Sequence, residues 1–180
     1  GTIAGNLCNA SPAADGVPPL LTLDAVVELS SLRGVRQLPL AEFITGPRQI
    51  ALEPDEVLTA VLVPVAATGG SSHFLKLGAR KYLVISIAMT AARIVVEDGF
   101  VSEAALAVGS CGPVATRLPE AEAALIGAPL DPTRITDAIV KGALSPIDDV
   151  RADAEYRQTS AAELVRRTLA HFVESAEVAA

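Results

Sequence analysis

Gly1-Thr-Ile-Ala-Gly-Asn-Leu-Cys-Asn-Ala-Ser-Pro-Ala-Ala-Asp15 opens the chain and carries most of its chemical information. From Gly1 to Asn6 the residues are small, as in a loop whose backbone approaches a ligand closely. Ser11-Pro12 then has the form of an N-cap followed by a first helical residue, and predicts a short helix. Free amides at such a junction suit a phosphate. The spacing is neither GxGxxG nor GxxxxGKS/T, so on the residues alone a tight turn entering a helix competes with an anion-binding loop. The chain begins inside this segment, at Gly1 and without an initiator Met, as a fragment or processed piece does.

Outward from this segment, Ala25 to Ser30, Gly34 to Leu38 and Val57 to Val63 alternate apolar and polar residues with β-branching, which predicts strands. Pro39, Gly46, Pro47 and Pro54 punctuate the loops between them. Ala66-Ala-Thr-Gly-Gly-Ser-Ser72 has the composition of a linker, and sets the expected division: residues 1–66, a linker at 67–72, and a second unit over 73–180. In that unit His73 to Lys76 begins a strand, and the apolar stretch Tyr82 to Val96 runs into Asp98-Gly99, a hairpin signal that sends Phe100 to Val108 back antiparallel. A helix is expected from Leu118 to Ile126, stopping at Gly127. A second, capped by Asp131-Pro132, carries Ile135, Ala138 and Ile139 on one face. A third starts at Ser160 with Glu163 as its capping-box partner, and carries Val165, Leu169, Phe172 and Val173. The second unit therefore reads as α+β, a three-stranded antiparallel sheet covered by three helices.

Composition limits the functions available. Hydrophobic residues make up 51% and charged residues 19% of the 180, enough apolar surface for an ordered core. No run approaches the roughly 20 apolar residues of a membrane span. A net charge of -7, from 14 basic and 21 acidic residues, opposes nucleic-acid binding. Cys8 and Cys111 lie in no CxxC pair, so neither a zinc nor an iron–sulfur ligand set is present and a reducing, cytoplasmic setting fits. Both read as small structural cysteines. His73 and His171 stand apart from any triad or metal-helix spacing and receive no catalytic role. Arg166-Arg167 reads as a solvated face.

The opening segment resembles the T-I-G-G-N...A-S-P-x-x-D motif of the FAD-binding medium subunits of molybdenum hydroxylases, the xanthine dehydrogenase and carbon monoxide dehydrogenase family, with Thr2-Ile3-Ala4-Gly5-Asn6 and Ala10-Ser11-Pro12...Asp15 in order. Phe43-Ile-Thr-Gly-Pro-Arg48, Leu52-Glu-Pro-Asp-Glu-Val-Leu58 and Val61-Leu-Val-Pro64 are similar to the family's F-x-x-G-x-R, L-x-P-x-E-x-L and I-x-I-P segments. His73-Phe-Leu-Lys76...Arg80, Asp149 to Arg157 and Leu164-Val-Arg-Arg167 extend the resemblance over nearly the whole chain.

That resemblance implies part of a two-loop, PCMH-type FAD-binding domain followed by a CO dehydrogenase flavoprotein C-terminal-like domain. It implies FAD as cofactor, held by Gly1, Thr2, Ile3, Ala4, Gly5 and Asn6 at the phosphates, Asp15 at the ribitol, Leu58 beside the isoalloxazine and Lys76 near the flavin's polar edge, where a cation raises the flavin's potential. It implies an oxidoreductase subunit that relays electrons from [2Fe–2S] clusters to an external acceptor. Its partners would be a molybdopterin-binding large subunit and a [2Fe–2S] small subunit in a dimerised heterotrimer. No catalytic residue and no metal ligand is assigned here, because substrate oxidation belongs to the large subunit. Ala4 departs from the paired glycines of the motif, which is costly only if that position needs left-handed backbone. Val84 stands where some members carry an aromatic, with Tyr82 two positions earlier. The family's first flavin loop would precede Gly1, so weak FAD retention is expected of the 180 residues alone. The competing expectation is a non-redox structural or assembly module without flavin.

Overall fold

The computed structural model describes residues 1–179. Thr2 starts the fold: its hydroxyl accepts the Gly5 amide at 2.9 Å and its carbonyl the Asn6 amide at 3.0 Å. A helix, α1 (Ile3–Asn9), therefore begins inside the segment expected to be a loop. Gly5 permits this cap, because a Cβ there would lie 2.9 Å from Thr2 Oγ1. The helix expected from Ser11-Pro12 does not form. Ser11 closes a turn, its carbonyl accepting the Ala14 amide and its hydroxyl the Ala13 amide at 3.3 Å, because a Ser hydroxyl bonds nearby backbone as readily in a turn as at a cap. The next helix, α2 (Val17–Thr22), starts later and places prolines in its first turn, where a missing N–H costs little.

Three strands follow close to their expected positions: β1 (Val26–Ser31), β2 (Gly34–Pro39) and, after the short helix α3 (Leu40–Phe43) and a small hairpin of β3 (Ile44–Gly46) and β4 (Gln49–Ile50), β5 (Val57–Leu62). They form one antiparallel sheet in the order β2-β1-β5. Leu7 of α1, Val17 and Leu21 of α2, and Val27, Leu29, Leu40 and Phe43 bury one face of it. The stretch expected as a linker is largely structured. Val65–Thr68 is a turn of 3-10 helix, and Ser71 already pairs with Ile94. Its small residues serve close packing instead: Gly70 has φ 83, and a Cβ there would fall 2.3 Å from the Ile94 carbonyl.

The second sheet runs β6 (Ser71–Leu77), β7 (Ala88–Glu97), β8 (Phe100–Gly109) and a two-residue β9 (Thr116–Arg117), in that order and antiparallel. Asp98 and Gly99 turn the hairpin with positive φ at both residues, as a two-residue type I′ turn requires. Ala88, Ala92 and Ile94 point to one face, where they meet α4 (Pro119–Leu125), α5 (Asp137–Gly142) and α6 (Ala154–Ala179) through Leu125, Val140, Val165 and Leu169. On the other face α2 lies across β7 and β8, and Ala107 joins the core of the first unit. The class is α+β, as the sequence implies, with the short β9 added to the three expected strands.

Helix starts shift where side chains find partners the sequence does not reveal. Asp131 caps only a 3-10 turn, Pro132–Arg134, while α5 starts at Asp137 under Thr136, whose hydroxyl accepts the Ile139 amide at 3.4 Å. Ala138 is exposed, and Val140 takes the buried place. The last helix does not begin at Ser160. Asp153 accepts the Tyr156 amide at 2.7 Å and Asp148 the Ala154 amide at 2.6 Å, so α6 is already formed by Ala154. Glu163 instead pairs with Arg166 and Arg167, and Arg166 reaches Asp137 at 2.8 Å, so this arginine ties α6 to α5 rather than forming a free solvated face.

Arg157 is 4% exposed and gathers three partners: the Ile87 carbonyl at 2.6 Å, the Ser110 carbonyl at 3.0 Å and Asp149 at 2.7 Å. Burial pushes the Asp149 carboxyl up, but the Arg151 amide and the Arg157 and Arg151 guanidinium groups outweigh it and hold the group at about 2. Cys111, beside this hub, is buried, and that burial pushes its thiol to about 11; Cys8 is half-buried, and both are free. Among the described residues no helix is long and apolar enough to cross a membrane, and no group of three or more His, Cys, Asp or Glu is placed to hold a metal.

The two histidines, distant in sequence, stack. The His73 ring on β6 lies 3.7 Å from the His171 ring on α6, with Phe172 edge-on to both. Burial, and then the charge of His171, lower the His73 pKa below 6.5. The folded chain therefore binds fewer protons than the unfolded chain just below that pH, and stability falls as the pH drops through it. Thermal melts between pH 7.5 and 5.5 are expected to show that fall, and His73→Phe to remove most of it while keeping the stacked packing.

Candidate functional site

The residues singled out in the sequence fall into two groups. Thr2, Ile3, Ala4, Gly5 and Asn6 form the first turn of α1 and the residues capping it, with Gly1, Thr2, Ile3 and Gly5 exposed. The Gly5 and Asn6 amides are used by Thr2, which leaves those of Ile3 and Ala4 at the end of the helix without an intrahelical acceptor. Ala4 is helical, so its departure from glycine carries no left-handed strain. Asn6 turns inward: its side-chain oxygen accepts the Gly16 amide at 3.3 Å and ties α1 to the start of α2. A Cβ at Gly16 would meet that oxygen at 2.8 Å. Leu58, on β5, is half-buried against the cluster that includes Leu7, so α1 and Leu58 share one packed layer.

The other end of α1 is also held. The Arg48 backbone amide donates to the Ala10 carbonyl at 2.8 Å, and its guanidinium donates to the Asn9 carbonyl at 3.1 Å and to the Asn9 side chain. A cation at this end complements the helix dipole. Arg48 has φ 61, a left-handed backbone that a non-glycine residue adopts at a cost.

Asp15 and Lys76 form the second group, and here the tertiary structure adds what spacing could not. Lys76 Nζ on β6 donates to Asp15 Oδ2 at 2.5 Å, a pair separated by 61 residues. A second Lys76 hydrogen goes to the Val84 carbonyl at 3.2 Å. Ser86, which the sequence did not single out, donates its hydroxyl to Asp15 Oδ1 at 2.7 Å. The side chains of Lys76 and Asp15 are 30% and 47% exposed, so the pair lies at the surface and is worth little as a stability device. Its interest is electrostatic: a cation and an anion lie together where the turn before α2 meets β6. The adjoining segment exposes Tyr82, Leu83 and Ile85, and the Lys81 ammonium lies over the Tyr82 ring at 5.3 Å.

A groove of about 560 Å³ lies elsewhere, lined by Arg33, Val35, Arg36, Glu53 and Glu56 beside the β1–β2 hairpin. Two of its charges are spent on one another: Arg36 holds Glu56 through bonds of 2.6 and 2.7 Å. That grip, with the Glu53 amide, keeps the Glu56 carboxyl at about 2.

Residues 1–66 match the family profile described as the FAD binding domain in molybdopterin dehydrogenase, and residues 73–172 that of the CO dehydrogenase flavoprotein C-terminal domain. The chain is 42% identical over 134 residues to the nicotinate dehydrogenase FAD-subunit of Eubacterium barkeri, covering 72% of this chain and 45% of that protein. It is 34% identical over 180 residues to the xanthine dehydrogenase FAD-binding subunit of Escherichia coli O157:H7, covering 97% of this chain and 61% of that protein. Among solved structures, reconstituted CO dehydrogenase from Oligotropha carboxidovorans superposes with a TM-score of 0.87 at 30% identity, over 94% of this chain and 59% of that one. Quinoline 2-oxidoreductase from Pseudomonas putida 86 gives 0.88 at 25% identity, over 98% and 61%. The chain thus spans about half to three fifths of the length of these proteins.

Thr2 is the residue on which the geometry of the first group depends. Thr2→Val is expected to lower stability by about 1 kcal/mol through loss of the cap, read from chemical denaturation, and to lower helix content in circular dichroism.

Proposed function

The chain belongs to the family of FAD-binding subunits of molybdopterin dehydrogenases, and from that premise we propose that it forms the part of an electron-transferring subunit that holds the flavin's phosphates and polar edge. The observation that carries this reading is the meeting of Asp15 and Lys76 across 61 residues, since the family resemblance, through two separate segments, assigns both to one cofactor from opposite units of the chain. The residues present fit FAD. Helical Ala4 accommodates the motif without strain, backbone amides at Ile3 and Ala4 without an intrahelical acceptor suit a pyrophosphate, and an aliphatic Leu58 lies in the layer beside α1.

In this reading residues 1–66 are the second half of an FAD-binding domain and residues 73–180 the domain that closes over the flavin's ring end. Gly1 to Asn6 bind the phosphates through their backbone, Asp15 accepts from ribitol hydroxyls, Leu58 shields a ring face from water, and Lys76 places an ammonium at the polar edge. When bound, FAD supplies the redox chemistry that links one-electron iron–sulfur donors to an external acceptor. The chain itself contributes binding, orientation and electrostatics, and no acid, base or nucleophile. Its partners are a molybdopterin-binding large subunit, where the substrate is oxidised, and a [2Fe–2S] small subunit. The names of the relatives support this, since they include an FAD-subunit of nicotinate dehydrogenase and a medium chain of carbon monoxide dehydrogenase.

The test is the absorbance spectrum of the purified chain, alone and with the natural coding sequence upstream of Gly1 restored. Flavin bands near ~370 and ~450 nm, the signature of the cofactor itself, are expected in the extended protein and weakly or not at all in the 180 residues. If neither protein takes up FAD on reconstitution, the flavin assignment fails and a structural or assembly role replaces it.

A further inference from the structure

Ser86 is 1% exposed and belongs to no strand or helix, yet its hydroxyl is committed to one acceptor, Asp15 Oδ1, at 2.7 Å across 71 residues. The other oxygen of that carboxylate takes Lys76 Nζ at 2.5 Å. Three groups are therefore arranged in series: a buried hydroxyl, a carboxylate and an ammonium.

The arrangement changes what Lys76 can do. Alone, an ammonium beside a flavin presents a full positive charge and raises the midpoint potential. Paired with Asp15 it presents less, because the carboxylate's negative charge offsets part of the ammonium's at the cofactor. A hydroxyl donating to the far oxygen offsets part of the carboxylate's charge, and being buried it is shielded from competing water. The Ser86 dipole thereby returns part of the Lys76 charge to its surroundings.

We propose that Ser86 is a positioning residue for the flavin: acting through Asp15, it sets how much of the Lys76 positive charge reaches the cofactor and so tunes its potential. This inference rests on the FAD reading above. A merely structural Ser86 would be a tie between the turn before α2 and the strand pair β6–β7, and its loss would change stability alone.

The experiment uses FAD-loaded protein with the coding sequence upstream of Gly1 included, and measures flavin midpoint potential by spectroelectrochemical titration, FAD dissociation constant and melting temperature side by side. Ser86→Ala removes the hydroxyl and keeps the volume. Its midpoint potential is expected to fall, with Ser86→Thr returning towards the parent value. Lys76→Met is expected to lower the potential further, and Asp15→Asn to raise it. If Asp15→Asn no longer retains FAD, the comparison of Ala with Thr at position 86 decides alone. A lower melting temperature in Ser86→Ala with the parent's midpoint potential overturns the inference and leaves Ser86 a structural tie. A parent protein that binds no FAD overturns the function proposed above, and this inference with it, an outcome distinct from an unchanged potential in a loaded variant.

Discussion

Two guanidinium groups reach from the second sheet to the C-terminal end of α2, and the relation between the two units depends on them. Arg93, 5% exposed on β7, donates to the Thr22 carbonyl at 3.1 Å and is balanced by Glu103 at 2.9 Å. Arg117 on β9 donates to the Leu21 carbonyl at 2.9 Å and pairs with Asp24 and Glu122. At the end of α2 the Leu21 carbonyl already accepts the Asp24 amide at 3.1 Å, whereas the Thr22 carbonyl takes its donor from Arg93. Arg93 thus completes the Thr22 carbonyl, Arg117 adds a second donor at Leu21, and the positive charge of both complements that end of the helix.

With α2 anchored, the seam becomes continuous. Gly109 leaves room for Pro18, since a Cβ there would lie 2.9 Å from the proline ring and 2.5 Å from Met89 Cε. The Ser110 amide donates to the Pro12 carbonyl at 3.0 Å. Asp15, between Pro12 and α2, is then held against β6 where Lys76 and Ser86 can reach it. The candidate site is thus a consequence of packing: the apolar and guanidinium contacts fix the seam, and the exposed ion pair occupies the position they create. A surface pair alone would not hold two units in register.

The opposite face of the same sheet is closed by α6, and the Arg157 hub lies at its start. By binding the carbonyls of Ile87 and Ser110, it holds the ends of β7 and β8 that flank Ser86 and the Pro12 contact. The two faces of one four-stranded sheet are therefore linked: one carries the helical cap, the other the first unit, and the groups at the sheet's end belong to both.

Much of this was legible in the sequence, because period-two alternation and an Asp-Gly turn are local signals and the opening motif with its downstream companions keeps order over the chain. β1, β2, β5 and the β7–β8 hairpin lie close to where alternation places them. Helix starts were misread at Ser11, Asp131 and Ser160: the Ser11 hydroxyl closes a turn, Asp131 caps only a 3-10 turn, and Ser160 lies inside a helix already formed by Ala154, because a Ser or Asp side chain bonds whichever nearby amide the fold presents. The small residues at 66–72 permit both a linker and close approach of strands, and composition alone does not tell the two apart. The stacking of His73 on His171, the bonds from Arg157 to the Ile87 and Ser110 carbonyls and the Ser86–Asp15–Lys76 series lie beyond any sequence rule, because each joins residues tens of positions apart. The sequence by itself determined the main strands and the class, and its resemblance to a family named the residues proposed to meet a flavin. Only the tertiary structure decided that Asp15 and Lys76 neutralise one another, because a charge's effect depends on distance, and distance across a seam is set by packing.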